Sequence, residues 1–336
     1  MTSSDVYLDP AWRLDRFDQT GTEAIFIRAD RDRLSEAPFL DQRWRQPHDE
    51  LAALSVQNMV SHAPKSAPPA FIWHSAFCCS TLLAGVLDHE GAALGVREPD
   101  MLMTLANLKR QGQGVSGVLP AVLNWLSRGY DAGERAVIKP TNLANNLMSD
   151  AMAASPSSKA ILLTSSLRAF LVSIVKKGEA GRAFARFMYT VFAMDGRALS
   201  ISEIDRLRLT DLQIAALVWH MQIAEMNALS QGEGSGRVAW LDGDAFIARP
   251  EPVLARVAEF LELDLTAAQI AQAASGPKMS RNAKAPEQGF AAASRAEQNE
   301  QIARSLGPDL DRIIEWSYGL HADTPSDAPV APALLG

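Results

Sequence analysis

Short apolar runs alternate along the chain with longer segments in which apolar residues recur at helical spacing. Runs rich in β-branched or aromatic residues predict buried strands at 24–28, 70–74, 136–139, 160–164 and 238–242. Apolar residues three and four positions apart predict helices at 48–63, 80–90, 99–111, 121–130, 142–154, 166–178, 211–231 and 252–263. Because strands and helices alternate, the pattern predicts an α/β fold with a parallel sheet of about five strands flanked by helices.

The pattern changes towards the C-terminal end. Residues 275–294 are polar, basic and interrupted by Gly and Pro, which is typical of a lid-like loop, and the composition of 322–336 predicts a disordered tail. A chain of 336 residues with 47% hydrophobic residues can bury one large core. We therefore expect a single α/β domain over 1–321, with its core at 70–263.

Composition and charge exclude several classes of function. A net charge of −7 and a pI near 5.5 argue against a surface that binds duplex nucleic acid. No apolar run approaches the roughly 18 residues of a membrane span, and no basic and apolar leader opens the chain, so we expect a cytoplasmic protein. The two cysteines, Cys78 and Cys79, are adjacent and fit neither a disulfide framework nor zinc-ligand spacing. We expect no metal, and the oligomeric state stays open.

Two glycine-rich segments are not predicted to bind nucleotides. "GQGVSG" (112–117) matches the dinucleotide pattern G-x-G-x-x-G, but a helical pattern precedes it where that motif needs a strand. "GEGSGR" (232–237) precedes a strand, so no helix N-terminus follows it. Both are predicted to be loops.

The segment "FIWHSAFCCSTLLAG" joins a predicted strand to a predicted helix through a turn at 75–79. If the strand is central, this turn lies at its carboxyl end, where open α/β sheets bind ligands. The amides of 77–82 and the hydroxyls of Ser80 and Thr81 would then favour an anion. Two other interpretations stay open. Ser80 could cap the helix while the cysteines pack as small apolar side chains, or a thiol could act as a nucleophile.

Four segments, in this order, resemble the P-loop-like sulfotransferases that use 3′-phosphoadenosine 5′-phosphosulfate (PAPS). "SAFCCSTLLAG" resembles their 5′-phosphosulfate loop, "VIKPTNL" a Lys-Ser-Pro segment, "TSSLRAFLVSI" the 3′-phosphate segment, and "VAWLDGDAFIARPEPV" the closing strand, loop and helix. The resemblance covers roughly residues 70–263. It implies a P-loop-NTPase-like architecture and sulfuryl transfer from PAPS to a hydroxyl or amine of a small-molecule or peptide acceptor.

The resemblance also implies which residues bind PAPS or its product, adenosine 3′,5′-bisphosphate (PAP). The 3′-phosphate would contact Arg168 and Ser173, and Arg281 and Lys284 of the basic loop would close over it, although both loop residues are equally explained as solvated charges. The 5′ end would contact the loop residues Phe77, Cys78, Cys79, Ser80, Thr81 and Leu82.

Three positions depart from the family pattern. Phe77 stands in place of the basic residue of the loop, Cys79 in place of its glycine, and Ser165 in place of the first arginine of the 3′-phosphate segment. A cation close to the leaving group is worth several kcal/mol of transition-state stabilisation. Another group must therefore supply this charge if the protein is a fast enzyme.

Three residues are candidates for catalytic roles. Lys139 ends a predicted strand, so its ammonium could stabilise the leaving group, and His74 could donate to the same phosphate. Glu98 follows the apolar stretch "ALGV", a further predicted strand edge, and could accept the acceptor proton. Each has a structural alternative: a solvated lysine, a packed histidine and a carboxylate at a helix start.

Two other functions stay open at this point. An ATP-dependent phosphotransferase on the same scaffold lacks the P-loop lysine and an evident pair of magnesium-binding carboxylates. A catalytically degenerate nucleotide-binding or scaffold protein would explain the missing cations directly.

Overall fold

The computed structural model describes residues 3–196, 201–232, 234–280, 297, 300–302 and 304–320, and the strands in these ranges form two sheets. The smaller sheet is antiparallel, with the order β1 (Trp12–Phe17), β2 (Glu23–Arg28) and β3 (Leu51–Ser55). Three short helices accompany it: α1 (Ser3–Leu8), α2 (Arg31–Glu36) and α3 (Val56–Ser61).

The larger sheet is parallel and holds the predicted site. Its strands are β4 (Ala70–His74), β5 (Ala93–Arg97), β6 (Arg135–Lys139), β7 (Lys159–Thr164) and β8 (Val238–Asp242). They lie in the order β5-β6-β4-β7-β8, which makes β4 central. All residues of β4 and β5 are buried, as expected of parallel strands covered on both faces.

Helices cover both faces of this sheet. Phe71 and Trp73 of β4 belong to one apolar cluster, and Ala70 and Ile72 belong to a second cluster on the opposite face. The helices are α4 (Ser80–Val86), α5 (Asp100–Arg110), α6 (Leu119–Leu126), α7 (Met148–Ala154), α8 (Leu167–Lys176), α9 (Gly178–Met194), α10 (Glu203–Arg208), α11 (Asp211–Gln231), α12 (Gly243–Ala248), α13 (Pro250–Leu261), α14 (Ala267–Ser275), α15 (Pro277–Ser280) and α16 (Gly307–Leu320), with 3₁₀ turns at Asn142–Leu147 and Ser235–Arg237. The predicted α/β class with a five-stranded parallel sheet is confirmed.

Two details of the prediction are wrong. The strand at 24–28 pairs with β1 and β3 in the antiparallel sheet, and the fifth parallel strand is β5, which contains "ALGV". The helix predicted at 48–63 is a strand followed by a short helix, because 51–55 pair with β2 and the Ser55 side chain accepts a hydrogen bond from the Asn58 amide to start α3.

Parts of the domain prediction fall outside the described residues. These parts are 281–294 of the basic loop and the tail at 322–336, and the division into domains stays a prediction. Of the two glycine-rich segments, 112–117 joins α5 to α6 as expected, whereas 235–237 of the second segment form a 3₁₀ turn that precedes β8. Among the described helices, none combines the length and the hydropathy needed to cross a membrane.

Candidate functional site

The site lies where the parallel strands end. Because β5, β6, β4, β7 and β8 run in the same direction, their carboxyl ends share one edge of the sheet. The turn 75–79 follows the central strand at this edge, Lys139 ends β6, and Glu98 directly follows β5. The structure therefore brings the predicted loop, base and cation to the same edge.

The backbone of the turn after β4 has an unusual conformation. Ala76, Phe77 and Cys79 have φ angles of 65°, 56° and 66°, in the left-handed region that normally favours glycine. Each such residue costs about 1–2 kcal/mol, so the surrounding contacts must hold the turn in place. Successive amides in turns with such conformations can form concavities that bind anions. A phosphate or sulfate bound to these amides would therefore offset part of the cost of this conformation.

His74 holds one side of this turn. Its Nδ1 accepts a hydrogen bond from the Ala76 amide at 3.2 Å, so Nε2 carries the proton and donates to the Pro140 carbonyl at 3.0 Å. The Asn145 side chain donates to the His74 carbonyl at 3.1 Å. His74 is buried and links the loop to the end of β6. Backbone groups engage both ring nitrogens, which fits a positioning role and leaves the predicted contact with phosphate a prediction.

The other side of the turn packs against β7 and α12. The Ser75 amide donates to the Leu163 carbonyl at 3.1 Å, and the Cys78 thiol donates to the same carbonyl at 3.3 Å. Gly243 opens α12 so close to the loop that a Cβ there would lie 2.4 Å from the Cys78 carbonyl oxygen. Sequence reasoning missed Gly243, although a glycine directly after a strand was a visible signal.

Thr81 carries a buried hydroxyl at the start of α4. The residue is 4% exposed, and its Oγ1 has no hydrogen-bond partner among the described residues. An orphaned buried hydroxyl costs about 1–3 kcal/mol, so this atom is suited to a polar ligand. Ser80 is the first residue of α4 and not its cap, which corrects the capping interpretation. The cap is Cys79, whose side chain makes no capping hydrogen bond.

The predicted base and the predicted cation bind each other. Lys139 is 0% exposed, its ammonium forms an ion pair with the Glu98 carboxylate, and the Glu98 side chain keeps 17% exposure. Glu98 has a φ of 50°, and its amide donates to the Lys139 carbonyl at 2.6 Å. The lysine is therefore not the solvated charge of the alternative interpretation. Its ammonium neutralises Glu98 in this conformation, and both catalytic roles stay predictions.

Phe77, which replaces the basic residue of the loop, has a lysine beside it. The Lys177 ammonium lies 5.7 Å from the centre of the Phe77 ring, and the Phe170 and Phe184 rings lie 5.5 and 5.9 Å from it. A cleft of about 520 Å³ is lined by Phe77, Lys177, Ala180 and Phe184. No local sequence signal points to Lys177, because its proximity to the loop arises only from the packing of α8.

The remaining loop residues pack into the core. Cys78 and Leu82 are buried in the apolar cluster on the α4 face of the sheet, and Cys79 packs against that cluster. These positions agree with the interpretation of the cysteines as packing residues. Any contribution of Leu82 to ligand binding would come from its backbone.

The residues predicted to bind a 3′-phosphate are less well assembled. Arg168 forms an ion pair with Asp311 of α16 and keeps a 42% exposed side chain. The Ser173 hydroxyl donates to the Ala169 carbonyl at 2.9 Å within α8. Ser165, which replaces the family arginine, has a buried hydroxyl with no partner among the described residues. Arg281 and Lys284 lie outside the described residues.

The chain is similar to three solved sulfotransferase structures. The sulfotransferase domain from the curacin biosynthetic pathway is 15% identical, with a TM-score of 0.41, over 72% of this chain and 99% of that one. The sulfotransferase domain from the Synechococcus PCC 7002 olefin synthase is 15% identical, with a TM-score of 0.43, over 73% of this chain and 97% of that one. Sulfotransferase STF9 from Mycobacterium avium is 11% identical, with a TM-score of 0.43, over 76% of this chain and 80% of that one.

These similarities are too weak to assign a function. No protein-family model and no curated protein matches the chain. The chemistry of the site therefore has to be inferred from its own residues.

Proposed function

We propose that the protein is a cytoplasmic sulfotransferase that moves a sulfuryl group from PAPS to a hydroxyl or amine of a small-molecule or peptide acceptor. The observation that supports this most is the 75–81 segment. Three non-glycine residues adopt left-handed backbone conformations there, and the segment leads to the Thr81 hydroxyl, which has no partner among the described residues. These features cost free energy in the protein alone, and an anion at the loop would offset that cost.

The residues at the carboxyl edge fit the 5′ end of PAPS. Loop amides and the Thr81 hydroxyl would bind its phosphate and sulfate oxygens. Bound PAPS supplies an activated sulfuryl group whose bridging S–O bond breaks with its electron pair on the phosphate. The acceptor oxygen or nitrogen forms the new bond to sulfur, and its proton passes to the Glu98 carboxylate. Lys139, a buried cation paired with Glu98, would stabilise the charge that develops on the leaving phosphate.

A non-catalytic nucleotide-binding protein is the second candidate. The observation that favours it is the ion pair between Lys139 and Glu98, which neutralises both predicted catalytic groups. Phe77, which stands where the family has a basic loop residue, also favours this candidate. Such a protein would bind PAP and transfer nothing.

Transfer of labelled sulfate separates these candidates. PAPS carrying ³⁵S is incubated with the protein and an extract of small molecules and peptides, and labelled products and released PAP are measured. We expect transfer, and Glu98→Gln should lower turnover by about a hundredfold or more, the usual scale for a lost base. Glu90→Gln is the matched control, because Glu90 is exposed.

Two results would contradict the proposal. Binding of PAP without transfer would indicate the non-catalytic protein. Transfer of phosphate from ATP with magnesium, and none from PAPS, would indicate the phosphotransferase. Full turnover in Glu98→Gln would refute only the assignment of the base.

A further inference from the structure

The cleft beside Phe77 is continuous with the proposed PAPS loop. Phe77 belongs to both, because it is a residue of the turn after β4 and also a wall of the cleft of about 520 Å³. A volume of this size falls in the range of pockets that hold small molecules. A ligand in this cleft would touch the loop through Phe77.

Aromatic side chains line the cleft and continue beyond it. The Phe184 ring lies 5.9 Å from the Phe77 ring at 75° and 6.4 Å from the Phe187 ring, one helical turn further along α9. Phe187 is 51% exposed. Large apolar side chains that stay in contact with water next to a cleft often mark a binding surface. The walls therefore favour a flat apolar ligand.

The side chain of Lys177 places a positive charge at this cleft. Lys177 is exposed, follows directly after α8 and places its ammonium 5.7 Å from the centre of the Phe77 ring. It forms no ion pair with any residue in the described ranges. Its charge is therefore available to a ligand that occupies the cleft.

We propose, on the basis of the proposed function, that this cleft binds the acceptor and that the acceptor is an aromatic or similarly flat apolar molecule with a carboxylate. The apolar body packs against Phe77 and Phe184 in the cleft, and the carboxylate pairs with Lys177. The acceptor must reach a sulfuryl group held on the loop, and the cleft shares a residue with that loop. A hydroxyl or amine elsewhere on the acceptor accepts the sulfuryl group and gives its proton to Glu98.

The test uses two probes of the same shape, without any nucleotide. Binding of 2-naphthoate and of the neutral 2-naphthalenemethanol is measured by titration calorimetry. We expect naphthoate to bind about two- to fivefold more tightly, the range for an ion pair with an exposed ammonium. Lys177→Met should remove this preference, and the adjacent Lys176→Met should keep it. Phe184→Leu should weaken both probes equally.

Several outcomes would overturn the inference. These are no binding of naphthoate, equal affinity for the two probes, or a preference for naphthoate that survives in Lys177→Met. Lys177 is exposed, so its substitution should leave the melting temperature unchanged, and this measurement verifies that the variant is folded. Because no nucleotide is present, a negative result together with normal PAP binding would leave the proposed function intact.

Discussion

Replacing Gly243 by Ala should push the turn after β4 out of position. The added Cβ would lie 2.4 Å from the Cys78 oxygen, 3.0 Å from its carbonyl carbon and 3.3 Å from its Cα. All three atoms are backbone, so no side chain can rotate away to make room. The start of α12 is also fixed, because the Asp242 carboxylate accepts hydrogen bonds from the Asp244 and Ala245 amides at 2.7 and 2.8 Å.

The size of the effect follows from two opposing terms. Inserting a methyl group into a packed site costs roughly 1–3 kcal/mol. Alanine gains at most about 1 kcal/mol over glycine in a helix, and less at its first residue. We therefore expect the free energy of unfolding to fall by about 1–2 kcal/mol. A shift of Cys78 should also cost at least one hydrogen bond to a bound anion, which lowers PAP affinity about tenfold or more.

Urea denaturation and calorimetry with PAP measure these two quantities. Gly236→Ala is the matched control, because a Cβ at Gly236 meets no atom within 4 Å. The control should keep its PAP affinity. If Gly243→Ala matched the wild type in both stability and affinity, the close packing of α12 on the loop would not support the site as described.

Three further substitutions test separate parts of the structure. Lys139→Met leaves the Glu98 carboxylate without its buried partner, so the free energy of unfolding, measured by urea denaturation, should fall by about 3 kcal/mol. Adding Glu98→Gln should restore part of this loss, and unchanged stability of Lys139→Met would contradict a buried pair. Arg168→Gln breaks an exposed ion pair with Asp311 and should lower the free energy of unfolding by under about 1 kcal/mol. It should weaken PAP binding about tenfold and leave the affinity for adenosine 5′-monophosphate unchanged. Equal losses of affinity for both nucleotides would reject a 3′-phosphate role. Burial raises the pKa of Tyr130 to about 12, so the unfolded chain ionises first at this residue and stability should fall as the pH rises from 10 to 12. Tyr130→Phe should reduce this pH dependence and remove one tyrosinate absorbance step near pH 12. If the step that the variant removes lay near pH 10, the burial would be contradicted.

The parallel sheet could be predicted because its strands are buried on both faces and appear as uninterrupted apolar runs. Ala70–His74 and Lys159–Thr164 are examples of this pattern. The strand at 51–55 could not be recognised in this way. It is mostly exposed, and the residues of β2 that it pairs with are more than twenty positions away in sequence. The same limit applies to 24–28, whose strand was predicted but whose partners depend on contacts distant in sequence.

The position of the site could be predicted from topology, since parallel strands must end at one edge of the sheet. Thr81, Glu98 and Lys139 all lie at that edge. The pairing of Glu98 with Lys139 depends on side-chain conformations that no spacing rule contains. Lys177 approaches Phe77 because α8 packs against the loop. The two residues are 100 positions apart, so the sequence around the loop does not reveal this contact.

The most direct test of the central claim is calorimetric titration of the wild type, Thr81→Val and Thr104→Val with PAP. Thr104 is the control, because its hydroxyl already donates to the Asp100 carbonyl at 3.2 Å within α5. We predict that the wild type and Thr104→Val bind PAP equally and that Thr81→Val binds it about ten- to a hundredfold more weakly, the range for a lost hydrogen bond to a charged group. Thr81→Val should be no less stable than the wild type without ligand, because it removes a buried hydroxyl that no residue in the described ranges pairs with. Undiminished affinity of Thr81→Val, or no binding of PAP to the wild type, would contradict the account of the loop as a nucleotide-binding site.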